Sequence, residues 1–167
     1  MANAREWERA HATATNQEKK GKRVANHQAG HQPTVVFVDA AWRSDTQVAG
    51  FGWSFTDGHQ LTLEEGSGAE APVVSALAAE AIAIREALIQ AKMKNWNSLC
   101  LKSDSQTLVR AIRSNDKIAE ILGVLCDIKT LASTFVSISF VFTPRSENSR
   151  ADAIAKSALA LFVTTEV

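Results

Sequence analysis

The sequence has no tyrosine, only three prolines and two cysteines, and no long apolar run. The cysteines, Cys100 and Cys126, lack CxxC spacing and lie in apolar surroundings, so we interpret them as reduced core residues of an intracellular protein. No segment approaches the roughly 20 apolar residues that a membrane span needs, and the polar N-terminus lacks a signal-peptide core. These absences predict a protein of the nucleus or cytoplasm that is neither secreted nor inserted in a membrane.

Net charge is also absent, because 18 lysines and arginines balance 18 aspartates and glutamates. The balance is uneven along the chain. Residues 1–33 hold six basic and three acidic side chains, whereas residues 34–167 hold twelve basic and fifteen acidic ones, a net charge of −3. The first segment is polar and has no apolar period, so we predict a disordered or linker tail over 1–33 and one domain over 34–165.

The predicted tail carries a cluster of basic residues: Lys19, Lys20, Lys22 and Arg23. A solvated linker explains such a cluster, and a localisation signal or an auxiliary contact with nucleic acid is the alternative. The AREWERA stretch near the start of the chain has the character of a helix retained from a longer polyprotein, which is a hypothesis.

From residue 34 the apolar pattern alternates between the periods of strands and helices. A β-branched apolar run at 35–41 predicts a central strand covered on both faces, and Asp57-Gly58 predicts a tight hairpin between the next two strands. The predicted elements, in chain order, are strands at 35–41, 47–56 and 60–66, a helix at 73–94, a strand at 98–103, helices at 105–113 and 118–132, a strand at 135–142 and a helix at 149–163. This βββαβααβα order predicts an α/β domain with a mixed five-stranded sheet, whose first, fourth and fifth strands are parallel neighbours.

Four acidic residues lie inside or at the edge of apolar segments: Asp39, Glu80, Asp104 and Asp152. Placing a carboxylate there without a partner costs several kcal/mol. Asp39 alternates with Val35 and Phe37 on the first strand, so we expect its carboxylate to point the same way as core side chains. The four acids therefore need a common compensating charge.

Each acid alone also has an ordinary structural explanation. Asp39 could cap a neighbouring helix, and Glu80 could be a half-exposed helix charge. Asp104 could be a helix N-cap, and Asp152 a favourable charge near a helix N-terminus. The set is harder to explain in this way, because Asp39 and Asp104 would meet at the carboxyl ends of parallel strands.

Oxygen ligands of this kind favour Mg²⁺ or Mn²⁺, and no His or Cys pair has zinc spacing. Two such ions about 4 Å apart can activate a water and stabilise the leaving oxygen in phosphodiester cleavage, so we interpret the four acids as a two-metal nuclease site. A P-loop or Rossmann domain would need a Gly-rich turn between a strand and a helix, which is missing. His59, the only histidine after residue 33, has no nucleophile signal near it, which excludes serine hydrolase chemistry.

Five ordered motifs resemble the ribonuclease H family, and most closely its plant domains from non-LTR retroelement proteins: VVFVDAAW, AGFGWSF, AAEAIAIREAL, KSDSQTLVRAI and TPRSENSRADAIAKSA. The resemblance spans 35–161 and implies a ribonuclease H-like fold. It also implies that two Mg²⁺ ions, or Mn²⁺, are bound by all four acids, namely Asp39, Glu80, Asp104 and Asp152. The implied reaction is endonucleolytic cleavage of the RNA strand of an RNA/DNA hybrid, leaving 3′-hydroxyl and 5′-phosphate ends.

The same resemblance implies four substrate-binding residues: Ser105, Gln106, Asn148 and Arg150. Gln106 matches the glutamine that contacts the minor groove of the hybrid, with Ser105 beside it, and the other two belong to the loop and helix start that lead into Asp152. An upstream reverse transcriptase domain is an implied partner. We expect a monomer.

Several departures from the family pattern favour an alternative function. Phe142 stands where active members often place a histidine that helps proton transfer or product release. Ala76 and Leu77 stand where well-studied members have asparagines, and a basic protruding helix found in some members is missing. The alternative is a catalytically weak or inactive module that binds nucleic acid or protein.

Two related nuclease classes fit less well. Exonucleases of this fold carry an Asp-x-Glu pair on the first strand, but Ala41 follows Asp39 at that spacing, and integrase-type enzymes place Glu where this chain has Asp152.

Overall fold

A computed structural model describes residues 32–165. Its helices and strands, in chain order, are β1 (Thr34–Arg43), β2 (Val48–Thr56), β3 (Thr62–Glu70), α1 (Ala76–Met93), β4 (Ser98–Ser103), α2 (Gln106–Arg113), α3 (Leu122–Ala132), β5 (Ser137–Phe142) and α4 (Ser149–Thr165). Short 3₁₀ turns precede α3 and α4. The predicted tail, with its basic cluster and the AREWERA stretch, lies almost wholly outside the described residues. No helix between residues 32 and 165 combines the length and the apolar character that crossing a bilayer requires.

The five strands form one sheet in the order β3-β2-β1-β4-β5. The first three strands are antiparallel neighbours, while β4 runs parallel to both β1 and β5. The predicted α/β class, the mixed five-stranded sheet and the βββαβααβα order are therefore confirmed. The parallel pairs follow from the helical crossovers after β3 and β4, each of which brings the chain back to the end of the sheet from which the preceding strand started.

The two faces of the sheet are buried by different means. On one face α1 packs against β1 and β2, where Val36, Val38 and Phe55 have no exposed surface. On the other face α4 packs against β2. The second strand is consequently buried along its whole length, with its large side chains on the α1 side.

Two glycines of β2 allow α4 to touch the strand backbone. A Cβ atom at Gly50 would overlap the carbonyl oxygen of Ala155, and one at Gly52 would lie 2.5 Å from the carbonyl oxygen of Ala151. Gly52 is also the residue of β2 that lies opposite Asp39 of β1. The close packing therefore brings the first turns of α4 over the part of the sheet that carries Asp39.

The connection between β2 and β3 differs from the predicted tight hairpin. The Asp57 carboxylate accepts hydrogen bonds from the N–H groups of His59 and Leu61, and Gln60 has a positive φ of 62°. The side chain of Asp57 thus organises a longer turn than the Asp57-Gly58 pattern indicated.

β3 also extends to Glu70, beyond the predicted end at residue 66. Its glycines weaken the strand pattern in the sequence, but a Cβ at Gly66 would overlap the Trp53 ring of β2. This residue leaves room for a cross-strand aromatic side chain and does not end the strand.

Both cysteines are free, and they occupy different environments. Cys100 is half-buried on β4, whereas Cys126 is exposed on α3. The prediction of a core position is therefore wrong for Cys126, because the apolar residues around it in sequence, Leu125 and Ile128, lie on the opposite face of the helix.

Candidate active site

Two of the four acids meet where the pairing between the central strands ends. The parallel ladder between β1 and β4 ends at the pair Val38 and Ser103. The next residue of the chain is Asp39 in the middle of β1 and Asp104 just after β4. Because the two residues follow a ladder pair of parallel strands, they lie side by side at the carboxyl end of β4. Both carboxylates are shielded from water, because Asp39 is 3% exposed and the Asp104 side chain is 8% exposed.

Asp39 does not point the same way as the main core. Its neighbours on the same face of β1, Val35 and Phe37, are half-buried, whereas Val36 and Val38 on the other face are fully buried. The prediction of a core-facing carboxylate is therefore wrong in this respect. Asp39 shares its face with Gly52, which α4 covers, and its burial comes from that helix and from the neighbouring acids.

Glu80 on α1 is the third member of the cluster. The Ser75 hydroxyl caps α1 by accepting a hydrogen bond from the N–H of Ala78 at 3.0 Å. This start places Glu80 in the second turn of the helix. One carboxylate oxygen from each of Asp39, Glu80 and Asp104 lies within 4.8 Å of the other two.

The cluster is electrostatically unfavourable by itself. Burial, followed by the negative charge of Asp104, raises the pKa of Asp39 to about 6. Burial, followed by the charge of Asp39, raises the pKa of Glu80 to about 9. A shared proton between these two carboxyl groups relieves part of the repulsion near neutral pH.

The donor set fits a hard divalent cation. The Oε2 atom of Glu80 is buried and has no hydrogen-bond partner among residues 32–165. Asp39 Oδ1 accepts a hydrogen bond from the adjacent N–H of Ala40 at 2.9 Å. Carboxylate oxygens are the ligands that Mg²⁺ and Mn²⁺ prefer. Together the three acids meet the chemical requirement for such an ion.

Asp152 is near this cluster but does not belong to it in this structure. Its carboxylate pairs with Lys156 one turn later on α4, with Oδ2 2.8 Å from Nζ. The side chain is 32% exposed, and its negative charge contributes to the raised pKa of Asp39. The structure thus groups three of the four predicted acids and leaves the fourth in an ion pair.

The ordinary explanation for Asp104 does not hold. The N-cap of α2 is Ser105, whose hydroxyl accepts a hydrogen bond from the N–H of Leu108 at 3.4 Å. Ser105, which the sequence predicted to bind substrate, therefore caps α2 in this structure. The Asp104 carboxylate is consequently left to face the acid cluster.

Sequence reasoning missed Arg145, which lies at the open side of the cluster. Its Nε atom is 3.3 Å from Asp104 Oδ2, and the side chain is 89% exposed. Hydrogen bonding to Asp104 raises the pKa of the guanidinium, so it stays charged. The available signal was the arginine of the TPRSENSR motif, seven residues before Asp152.

Phe142, the residue at the expected histidine position, ends β5 opposite Ser103 of β4. The ring is 40% exposed. The position is therefore adjacent to the strand end that carries Asp104, although a phenyl ring cannot transfer a proton.

The other predicted substrate-binding residues differ in accessibility. Gln106 is exposed at the start of α2. Arg150 forms two 2.6 Å hydrogen bonds to the Glu65 carboxylate of β3, so its guanidinium is already engaged. Asn148 is 1% exposed and donates a hydrogen bond from Nδ2 to the carbonyl oxygen of Val38 at 3.0 Å. The Asn148 side chain is thus engaged inside the fold in this structure, and its contact with substrate stays a prediction.

Asn148 instead connects the segments around the cluster. Its N–H donates to the carbonyl oxygen of Arg145 at 3.1 Å, and its own carbonyl accepts from the N–H of Asp152 at 3.0 Å. Its side chain fixes the same turn to β1 beside Asp39. One buried residue thus links the segments that carry Arg145, Asp152 and Asp39.

Comparison with protein families gives one match. The family model described as "Reverse transcriptase-like" matches residues 37–158, which is most of the described chain. No curated protein matches the chain.

Solved structures share the fold. Ribonuclease H1 from the halophilic archaeon Halobacterium salinarum NRC-1 has a TM-score of 0.72 and 24% identity, covering 77% of this chain and 98% of its own. LC11-RNase H1 in complex with an RNA/DNA hybrid has a TM-score of 0.71 and 23% identity, covering 78% of this chain and 99% of its own. The foamy viral protease-reverse transcriptase has a TM-score of 0.64 and 15% identity, covering 77% of this chain and 20% of its own. At these identities the likeness shows a common ribonuclease H-like fold.

Proposed function

This chain belongs to the reverse transcriptase-like family, whose model spans residues 37–158, and on that premise we propose that it is a metal-dependent ribonuclease H. Its substrate is an RNA/DNA hybrid, of which it cuts the RNA strand. The observation that carries the proposal is the meeting of Asp39, Glu80 and Asp104 within 4.8 Å where the ladder between β1 and β4 ends. The fold shared with LC11-RNase H1, which was solved with an RNA/DNA hybrid, supports the same substrate.

The acids hold the metal in this proposal. Asp39 and Asp104 are the central ligands, Glu80 is the third, and Asp152 joins them when its carboxylate leaves Lys156. With two Mg²⁺ or Mn²⁺ ions held by these acids, the site would gain an activated water and stabilisation of the leaving oxygen. The chain contributes a partly dry site, in which Asp39 and Glu80 must give up their shared proton for all the carboxylates to act as ligands.

Arg145 supplies an exposed positive charge at the mouth of the site. Its guanidinium is exposed and is held by one contact of 3.3 Å to Asp104. A planar guanidinium matches a phosphate group and stays charged at neutral pH, so it orients the phosphate and cannot act as a proton donor. We assign to Arg145 the binding of the phosphate next to the scissile bond.

Gln106 gives the site access to the minor groove. It is exposed two residues after Asp104, at the first position of α2. The 2′-hydroxyl group, which distinguishes RNA from DNA, lies in the wide, shallow minor groove of an A-form duplex. Contact at this position therefore explains how the RNA strand is chosen for cleavage.

The test is cleavage of an end-labelled RNA/DNA hybrid by the full chain in Mg²⁺ and in Mn²⁺, with duplex RNA and duplex DNA as competitors. We expect cuts in the RNA strand alone, with 5′-phosphate products, and none with Asp39→Asn. Glu64→Gln is the matched control, because Glu64 also carries a carboxylate but pairs with Lys94 on another part of the fold. Equal cleavage by Asp39→Asn would remove the acid cluster from the mechanism.

The second candidate is a module that binds nucleic acid or protein and cuts nothing. Exposed apolar side chains around the last strand favour it, namely Val136, Val141 and Phe142. The same assay separates the two candidates, because hybrid binding without cleavage in either metal supports the module.

We further propose that the chain works next to a reverse transcriptase domain, as in plant non-LTR retroelements. The family description and the likeness to the foamy viral protease-reverse transcriptase support this. An open reading frame with no such domain upstream in the transcript would contradict it. Size-exclusion chromatography of the purified chain tests the proposed monomer, and imaging of a tagged chain tests its place in the nucleus or cytoplasm.

A further inference from the structure

Two arginines of the described chain differ from the other four. Four arginines form ion pairs with carboxylates: Arg43, Arg85, Arg145 and Arg150. Arg110 and Arg113 have no such partner among residues 32–165, and both belong to the short helix α2. The free arginines are thus neighbours and are not scattered over the surface.

The two arginines share one exposed face of α2. The helix buries Leu108, Val109, Ala111 and Ile112 against the body of the domain. Its exposed residues recur at helical spacing: Gln106, Thr107, Arg110 and Arg113. These four residues, which we call the α2 face, include no acidic side chain.

The α2 face begins at the candidate active site and leads away from it. Asp104 precedes the helix by two residues, and Gln106 is the first helical residue. Arg110 and Arg113 follow about 6 Å and 10.5 Å farther along the helix axis. The order in space is therefore the acid cluster, then Gln106, then the two free arginines.

We propose that the α2 face binds the backbone phosphates of the DNA strand of the hybrid. This rests on the proposed function, in which the RNA strand lies on the acid cluster and Gln106 lies in the minor groove. A group beyond Gln106 then reaches across that groove to the opposite strand. Arginine suits this contact, because its planar fork pairs with phosphate oxygens and is weakly hydrated.

Charge complementarity supports this location. Residues 34–167 carry a net charge of −3, which repels a polyanionic duplex. The α2 face is a local exception, although Asp116 and Glu120 follow it in the chain, with Lys117 between them. The two arginines compensate in part for the basic protruding helix that the sequence lacks.

Salt dependence of binding tests the proposal directly. The full chain carrying Asp39→Asn, which leaves the hybrid uncut, is titrated with a fluorescent RNA/DNA hybrid from 50 to 200 mM salt. Each neutralised phosphate contact contributes about 0.9 to the slope of log K against log salt. Arg110→Gln and Arg113→Gln should each reduce the slope by about that amount. Between 50 and 200 mM salt, the fall in affinity of the double variant should therefore be roughly 12-fold smaller than the fall in affinity of the parent.

Lys94→Gln is the matched control for charge. It also removes one positive charge, but Lys94 pairs with Glu64 at 2.8 Å and follows the last turn of α1, about 20 Å along the helix from Glu80. We expect its slope to equal that of the parent. The pair Arg110→Lys and Arg113→Lys should keep the slope, because the charge is retained. The proposal for the α2 face would be overturned by an unchanged slope in the glutamine double variant. It would also be overturned if Lys94→Gln reduced the slope as much as one of the arginine substitutions does.

The strand is tested with uncharged methylphosphonates. Two adjacent methylphosphonates are moved stepwise along the DNA strand. At one position they should reduce the salt slope of the parent protein as much as the glutamine double variant reduces it on an unmodified hybrid. At that position they should not reduce the slope of the double variant any further. The same substitutions in the RNA strand should add to the effect of the double variant. The reverse pattern would place the contact on the RNA strand and contradict the proposal.

These outcomes separate this inference from the proposed function. If the protein with Asp39 cuts the hybrid but the double variant keeps the parent slope, the α2 face is wrong and the nuclease stands. If the double variant reduces the slope but the protein with Asp39 cuts nothing, the binding face stands and the nuclease fails.

Discussion

Acidic residues lie both where the ladder between β1 and β4 ends and at the start of α4, but their charges are compensated differently. Asp39, Glu80 and Asp104 lie within 4.8 Å of one another, and two of them have raised pKa values. On α4, Asp152 is paired with Lys156, and the adjacent Arg150 is paired with Glu65. The first region keeps negative charge that Arg145 compensates only in part, whereas the charges of the second region are paired. A cation should therefore bind mainly to the carboxylates of the first region, and Asp152 of the second region should leave Lys156 to join them.

The largest expected effect breaks this comparison by removing one acid from each region. Asp39→Asn should reduce metal-dependent cleavage on the order of 10³-fold, because a central ligand worth several kcal/mol is lost. Asp152→Asn should cost only about tenfold, since that carboxylate is peripheral and half engaged by Lys156. Single-turnover rates on one hybrid substrate measure both, and equal losses would contradict the distinction.

The contact that brings the two regions together can be weakened without touching an acid. Gly52→Ala should destabilise the fold by about 1–3 kcal/mol and reduce cleavage, because the new methyl group pushes α4 away from β2. Gly123→Ala on α3 is the control, since a Cβ there meets nothing within 4 Å. Denaturant unfolding measures the free energy of unfolding of both variants, and Gly123→Ala should be the more stable of the two.

The uncompensated charge of the first region should make the metal-free protein sensitive to pH. Both Asp39 and Glu80 have folded-state pKa values above their unfolded values, so their contribution is most favourable below about pH 4. It is lost as pH rises through about 6 and then about 9, so the metal-free protein should become progressively less stable over this range. Thermal unfolding in a chelator measures this.

Two changes should flatten that pH profile. Glu80→Gln removes the group with the larger shift, and millimolar Mg²⁺ or Mn²⁺ compensates the charge in the parent protein. A metal-free protein that becomes more stable between pH 5 and pH 9 would contradict the sign of this prediction.

Arg145 tests the positive charge at the border of the two regions. Arg145→Ala should reduce cleavage about tenfold, near the 1.4 kcal/mol of one charged contact with phosphate. Arg145→Lys should recover part of the rate, because charge is retained but the planar fork is lost. The free energy of unfolding should barely change in either variant, since the side chain is exposed.

The smallest expected effect concerns the aromatic residue at the end of β5. Phe142→His should raise cleavage a few-fold if proton transfer or product release limits turnover, because a histidine titrates near neutral pH. The pH profile of the variant should then gain an inflection between pH 6 and pH 7. An unchanged rate would indicate that neither proton transfer nor product release limits turnover.

The sequence predicted the fold well because the fold depends on patterns within single elements. The βββαβααβα order, the parallel pairing of β1 with β4 and the meeting of Asp39 with Asp104 all follow from period and connection. The end of β3 was missed since Gly66 and Gly68 weaken the strand pattern. Their position opposite Trp53 and Phe51 explains why the strand continues.

Side-chain partners were harder to predict, because they come from distant parts of the chain. Glu65 engages Arg150 from 85 residues away, and Val38 accepts the Asn148 amide from 110 residues away. Neither pairing leaves a signal at the residues themselves. The burial of Asn148 and the ion pair of Asp152 could therefore be found only after the strands were assembled.

The acid cluster exists only in the assembled chain. Its members come from a strand, a helix and a strand end, separated in sequence by 41 and 24 residues. An unfolded chain holds these carboxylates too far apart to share one ion, so affinity for a cation measures how completely the topology has formed. A luminescent lanthanide in this position would make the native site a direct reporter of refolding.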